Sequence, residues 1–184
     1  MWCLMNLALF GFKASGKTHF GKLLASHLHR PFVDLDDLII ELYTEKTGKR
    51  HKIKQIYKLL GASEFRSLEH AAIQSLKNVD NSIIALGGGT VLDKKNVELL
   101  MDVAALVYLK AGAEKLKKRI FQDELPSFFN PKNPEESFWE MIQEREPIYR
   151  SIPASCVDTD LLDEPGVIAK LNSILLLEER PNGL

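Results

Sequence analysis

Gly11-Phe12-Lys13-Ala14-Ser15-Gly16-Lys17-Thr18 has the form G-x-x-x-x-G-K-[ST]. An apolar run from Leu4 to Phe10 leads into it and an amphipathic pattern leaves it, which is the strand, tight turn and helix that the motif needs in order to bind phosphate. The glycines let the backbone curl so that successive N–H groups point at phosphate oxygens, and the helix that follows adds the positive end of its dipole. Lys17 is expected to reach the outer phosphates and the Thr18 hydroxyl to ligate Mg²⁺. Gly11, Ala14, Ser15, Gly16 and His19 complete the expected phosphate-binding set.

Downstream, Phe20, Leu23, Leu24 and Leu28 recur at helical spacing, so the helix opened by the loop lays one side on a sheet and ends near Arg30-Pro31. Phe32 to Asp36 reads as a short strand whose carboxylates, Asp34 and Asp36, project to the same side. One of Asp34, Asp36 and Asp37 is also expected to cap the next helix, Asp37 to Glu45. Helical patterns Ile53 to Leu60 and Glu64 to Lys77 meet at Gly61, and Arg66 and Glu69, three apart, read as an exposed ion pair. The basic stretch Gly48 to Lys52 has no interleaved aromatics and reads as a solvated loop.

Ser82 to Leu86 is a continuous apolar run, as a strand buried on both faces requires. It ends in Gly87-Gly88-Gly89-Thr90, and three glycines where a turn needs one point to close backbone approach to a ligand. Asp93 is placed to cap a helix reaching about Met101. Ala104 to Leu109 is a fourth strand and Lys115 to Phe121 a helix. The stretch at about 122–136 carries Pro126, Pro131 and Pro134 without any period, and is expected to be a mobile lid. A helix Glu135 to Glu146, a strand Ser155 to Asp158, a last helix with Val167, Ile168, Leu171, Ile174 and Leu175 inward, and a frayed tail from Glu178 complete the chain.

The 184 residues, 45% hydrophobic and 27% charged, suffice for one α/β domain, 1–184. With 24 Lys and Arg against 25 Asp and Glu, no global charge recruits nucleic acid or an anionic membrane. Cys3 and Cys156 lack metal-ligand spacing and read as small core hydrophobes in a reducing compartment. No cationic residue precedes the first apolar run, and cleaving it would remove the strand that feeds the phosphate loop, so the chain is expected in the cytoplasm, as a monomer.

Taken together, these motifs resemble shikimate kinase from Leu4 to about Leu176. The resemblance rests on Gly11 to Thr18, Asp34-x-Asp36, Gly61 before Phe65-Arg66 and Glu69, Leu86 to Thr90, Arg145-x-Pro147-x-Tyr149-Arg150, and Val157-Asp158-Thr159 before Pro165-Gly166. It implies a P-loop kinase fold with five parallel strands in the order 2-3-1-4-5, and transfer of the γ-phosphate of ATP to the 3-hydroxyl of shikimate on the way to chorismate and the aromatic amino acids. Lys17 would hold the β- and γ-phosphates, Thr18 would ligate Mg²⁺ with Asp34 acting through water, and Asp36 would bind the reacting hydroxyl as base or positioning group. Arg66 and Arg145 would clamp the shikimate carboxylate, the turn Gly87, Gly88, Gly89 would face its ring, and Tyr57 and Phe65 would wall the pocket within substrate-binding helices at about 37–77. Pro165 and either Lys118 or Arg119 would sandwich adenine. Two positions depart from the family: Ala62 stands where it has Glu, and Leu125, before Pro126, where it has the lid arginine. Arg119, Lys132 or Arg150 would then replace that cation. A gluconate-type sugar-acid kinase and a non-catalytic nucleotide- or partner-binding descendant are the alternatives; the first lacks a reason for paired arginines and a triple glycine, the second for Lys17, Thr18, Asp34 and Asp36 together.

Overall fold

The computed structural model describes residues 5–123, 125–126 and 128–179. Cys3, Leu4, residues 124 and 127 of the expected lid, and the tail from residue 180 lie outside the described residues. Strands β1 (Asn6–Phe10), β2 (Phe32–Asp34), β3 (Ile83–Ala85), β4 (Ala104–Lys110) and β5 (Ser155–Asp158) form one parallel sheet in the order β2-β3-β1-β4-β5. Leu7 of β1 lies opposite Ile83 on one side and Ala105 on the other, so the strand that feeds the phosphate loop is central.

Helices α1 (Lys17–Leu28), α2 (Leu35–Thr47), α3 (Ile53–Ser75), α4 (Lys94–Val103), α5 (Ala113–Gln122), α6 (Pro134–Ser151) and α7 (Glu164–Glu178) cover both faces. Successive strand side chains point to opposite faces. Leu7 and Leu9 pack with Leu24, Val167 and Leu171 from α1 and α7, whereas Ala8 and Phe10 pack with Leu35, Ile73, Leu100, Ile120 and Phe138 from α2 to α6. Burial on both sides is why the strands read as unbroken apolar runs. Asn6 is the polar exception in β1. Its amide donates to Val79 O at 2.6 Å and Val103 O at 2.9 Å and accepts from Ser82 N–H at 2.9 Å, stapling the starts of three strands.

Several boundaries differ from the sequence reading. β2 stops at Asp34, whose side chain accepts the Asp36 N–H at 3.1 Å and caps α2, so α2 starts at Leu35. Strand alternation therefore does not align Asp34 with Asp36; the cap and the first helical turn do. The two helices expected to meet at Gly61 form one run with a break there, Gly61 lying at φ 74°, ψ 175°. α6 continues through Pro147 to Ser151: the residue before proline is usually driven out of the helix, yet buried Phe138, Met141, Ile142 and Tyr149 hold both sides of Pro147 on the core. Cys156 is exposed on the edge strand β5 and is no core residue. The tail is not frayed at its start, since buried Glu179 pairs with Arg30 at 2.9 Å and accepts the Met5 N–H at 3.2 Å. No helix among the described residues is long and apolar enough to cross a membrane.

Candidate active site

The loops leaving β1, β2 and β3 meet at the carboxyl edge of the sheet, where ligands of open parallel sheets bind. In the phosphate loop Gly11 lies at φ 142°, Ala14 at 65° and Gly16 at 100°, and the Ser15 N–H closes a turn onto Phe12 O at 3.2 Å. A β-carbon at Gly11 would lie 2.5 Å from Leu109 O, so a side chain there is barred by space as well as by φ. Lys17 is buried and donates to Gly11 O at 3.0 Å and Phe12 O at 2.7 Å, spanning its own loop. Burial lowers its ammonium to about 8 against the opposing pull of Asp36 and Asp34. The Ser15 hydroxyl is buried inside the same curl without a hydrogen-bond partner among the described residues.

Thr18 Oγ1 donates to Asp34 Oδ2 at 3.1 Å, while Asp34 Oδ1 holds the cap of α2. A hydroxyl beside a carboxylate is the donor chemistry of a hard divalent cation. Among the described residues no three His, Cys, Asp or Glu side chains gather as an ion-binding group, so an ion at this pair would take its other ligands from water and phosphate. Asp36, in the first turn of α2, is raised to about 6, first by burial and then by Asp34, with Lys17 pulling the other way. A carboxyl so raised is suited to proton exchange near neutral pH.

The glycine turn after β3 is the place where these groups meet. A β-carbon at Gly87 would lie 3.3 Å from Asp36 Oδ1, one at Gly88 3.3 Å from Lys13 N of the phosphate loop, and one at Gly89 2.9 Å from Arg66 Nη2. None of the three has a positive φ; each instead lies close to a group from a different element, α2, the phosphate loop and α3. Gly88 O accepts the Tyr149 hydroxyl at 2.5 Å. Arg145 of α6 lies near Tyr149, with its guanidinium over the Phe128 ring at 4.9 Å; burial pushes the phenol up to about 12, with Arg145 pulling the other way. Arg66 thus reaches this turn from α3, and Arg145 stands near the tyrosine that touches it from α6. Tyr57 and buried Phe65 stack edge to face at 5.2 Å beside Arg66.

The Arg66–Glu69 pair corrects the sequence reading: it is no solvated pair. Glu69 is buried and accepts from Arg66 Nη1, from Thr90 Oγ1 at 2.8 Å and from Asn96 Nδ2 at 3.4 Å; Asn96 also donates to Thr90 O at 3.0 Å. Spacing found the pair, but only the packing of α4 behind α3 buries it. Glu69→Ala leaves several buried donors unmatched and is expected to lower unfolding free energy by about 2–4 kcal/mol in urea titration.

On the nucleotide side, His19 Nε2 lies 2.6 Å from Glu164 Oε2, an exposed contact between the starts of α1 and α7, and Pro165 follows Glu164 in the first turn of α7 and shares a cleft with Leu23 and His27 of α1. Of the two cations expected at adenine, Arg119 donates to Ala14 O at 2.8 Å, whereas Lys118 is exposed. Of the candidates for the missing lid cation, Arg119 reaches the loop through this bond, Lys132 is exposed, and Arg150 is bound to Glu146 at 2.6 Å. Leu125 packs on the main core and its carbonyl accepts Lys54 Nζ at 3.1 Å, with Pro126 and Phe129 buried beside it. An apolar anchor therefore occupies the lid position where the resemblance calls for an arginine. A cleft of about 760 Å³ between α2 and α3, lined by Leu42, Tyr43, Leu60 and Leu68, contains none of these groups.

A family model described as shikimate kinase matches residues 13–175. A shikimate kinase of Syntrophus aciditrophicus is 35% identical over 178 residues, covering 90% of this chain and 88% of its own. That of Thermodesulfovibrio yellowstonii is 33% identical over 168 residues, covering 91% and 93%. Among solved structures, shikimate kinase from Acinetobacter baumannii in complex with shikimate superposes with a TM-score of 0.82 at 28% identity, covering 97% of this chain and 96% of the other. A gluconokinase from Sinorhizobium meliloti, at TM-score 0.58 and 15% identity, shares the fold alone.

Proposed function

The chain belongs to the shikimate kinase family and transfers a phosphoryl group from ATP to the 3-hydroxyl of shikimate, a step of aromatic amino acid biosynthesis, and from that premise we propose how its residues divide the work. The observation that carries the division is the convergence of Asp36, Arg66 and, through Tyr149, Arg145 on the glycine turn that abuts the phosphate loop. Arg66 and Arg145 clamp the shikimate carboxylate from two helices, a task that suits the fork geometry of guanidinium. Gly87, Gly88 and Gly89 face the ring, and Tyr57 and Phe65 wall it. Asp36 binds the 3-hydroxyl and takes its proton as the oxygen attacks the γ-phosphorus and the bond to the ADP oxygen breaks. Lys17 moves from its loop carbonyls to the β- and γ-phosphates, whose oxygens take the N–H groups of Gly11 to Thr18 and His19. Thr18, with Asp34 through water, fits a Mg²⁺ ion, which when bound neutralises charge on those phosphate oxygens. Pro165 and Arg119 or Lys118 flank adenine. The chain works as one domain, 1–184, with substrate helices at about 37–77 beneath a lid at about 122–136. It works as a monomer in the cytoplasm; every group named comes from one copy.

The test is ADP release from Mg-ATP with shikimate, with gluconate and with no acceptor. Release that depends on shikimate is expected; equal release with gluconate, or none above the acceptor-free blank, would count against it. Arg66→Ala and Arg145→Ala are each expected to cost about 2–5 kcal/mol in shikimate binding and to leave ATP binding nearly unchanged. Equilibrium titration of both ligands checks this, and equal weakening of the two would remove the clamp assignment.

A further inference from the structure

We infer that Arg119 is a positioning residue of the phosphate loop, acting through the Ala14 carbonyl in addition to any contact with the nucleotide base. The inference rests on residues 11–18 binding phosphate. Ala14 is the third residue of the turn that Ser15 N–H closes onto Phe12 O, and its φ of 65° is a conformation that suits glycine and strains an L side chain. The peptide that joins Ala14 to Ser15 is gripped at both ends: its N–H by Phe12 O from inside the loop and its C=O by Arg119 Nη1, at 2.8 Å, from α5. The second grip is external and comes from a helix that is itself fixed.

Lys115 precedes Arg119 by four residues and shares its helix face. Its ammonium donates to Thr159 O at 3.2 Å and to Asp160 Oδ1 at 2.9 Å, while the Gly112 N–H just before α5 donates to Asp160 Oδ2 at 2.6 Å. The start of α5 is thereby pinned to the segment after β5, and Arg119 delivers that fixed position to the loop. Its bond to Ala14 uses one of five guanidinium N–H groups and leaves the others for a ligand. With the Ala14 peptide held, the N–H groups of the loop are presented to phosphate before a nucleotide arrives.

Arg119→Met keeps the apolar stem and removes the guanidinium. Amide hydrogen exchange on the full-length, ligand-free chain is expected to show Ser15 N–H exchanging at least about tenfold faster in this variant, with the amides of Leu7 to Phe10 in β1 unchanged. Mg²⁺ with inorganic tripolyphosphate, which has no base, should lose affinity about tenfold, and Mg-ATP at least as much. Arg119→Lys keeps a donor, and its Ser15 exchange should fall between wild type and the methionine variant; if the methionine variant does not fold, the lysine variant against wild type carries the same comparison. Unchanged Ser15 exchange would overturn the inference, and so would weaker ATP binding with tripolyphosphate binding intact, which would leave Arg119 a base contact only. Exchange is read without ligand, so the outcome is independent of which acceptor is phosphorylated.

Discussion

Replacing Lys17 with Met is expected to lower kcat/KM for ATP by about 10³-fold or more while the chain stays folded. Phosphoryl transfer asks the protein mainly for position and positive charge around the moving group, and removing one preorganised donor at such a centre typically costs about 10²–10³ in rate. Here the loss falls on a site whose lid carries Leu125, so no lid cation at that position backs up Lys17. In the free protein the Lys17 ammonium is buried, spans Gly11 O and Phe12 O, and is lowered to about 8. A depressed ammonium favours its neutral form in the fold, so the charged form costs stability below about pH 8, and a methionine of similar length removes that cost. Coupled ADP-release kinetics and thermal unfolding measure the two effects together. A variant that keeps turnover within tenfold of wild type would take Lys17 out of the reaction.

Asp36→Asn is expected to abolish turnover and to make the ligand-free chain more stable at neutral pH. The carboxyl is raised from its usual range to about 6 by burial and by Asp34. Between the unfolded value near 4 and the folded value near 6, the native state holds a proton that the unfolded state has lost. Stability therefore falls as pH rises through that window, and above about 6 the ionised Asp36 is a standing cost of about 3 kcal/mol. Asparagine has no charge to desolvate, so its advantage in urea titration should be full at pH 7 and gone near pH 4. Activity is expected to move the other way: in its proposed role the carboxylate accepts the hydroxyl proton, and an amide cannot take it. A variant with no stability gain at pH 7 would mean that Asp36 is better solvated than its burial implies, and retained turnover would end its role as base. The opposite signs of the two effects are the pattern expected where a site is kept at the expense of the fold.

The phosphate loop was legible in the sequence because its chemistry is local. Two glycines, Lys17 and Thr18 act at fixed separations within eight residues, and the flanking apolar runs supply the strand and helix that aim them. The sheet core was legible for a related reason, since a parallel strand buried on both faces must be apolar throughout, and each such run appears as one block. Arg66, Arg145 and the triple glycine were visible as residue types, and their order along the chain carried the family resemblance.

What was misread depended on contacts between elements distant in the chain. Period-two alternation puts Asp34 and Asp36 on one strand face; they meet instead because Asp34 ends β2 and is the one of the three aspartates that caps α2. A spacing of three reads Arg66–Glu69 as a solvated pair, because it says which side chains touch and nothing about Thr90 and Asn96, which bury the carboxylate. Tyr149 stood in a motif without a role, and acquires one when α6 runs on past Pro147 and sets its hydroxyl on Gly88 O. Local sequence determined the phosphate loop, the apolar strands and the identity of the charged groups, because backbone sterics and side-chain period act over a few residues. Tertiary packing decided which carboxylate is buried, which side chains reach the glycine turn and which carbonyl Arg119 holds, because burial and electrostatics follow distance in space.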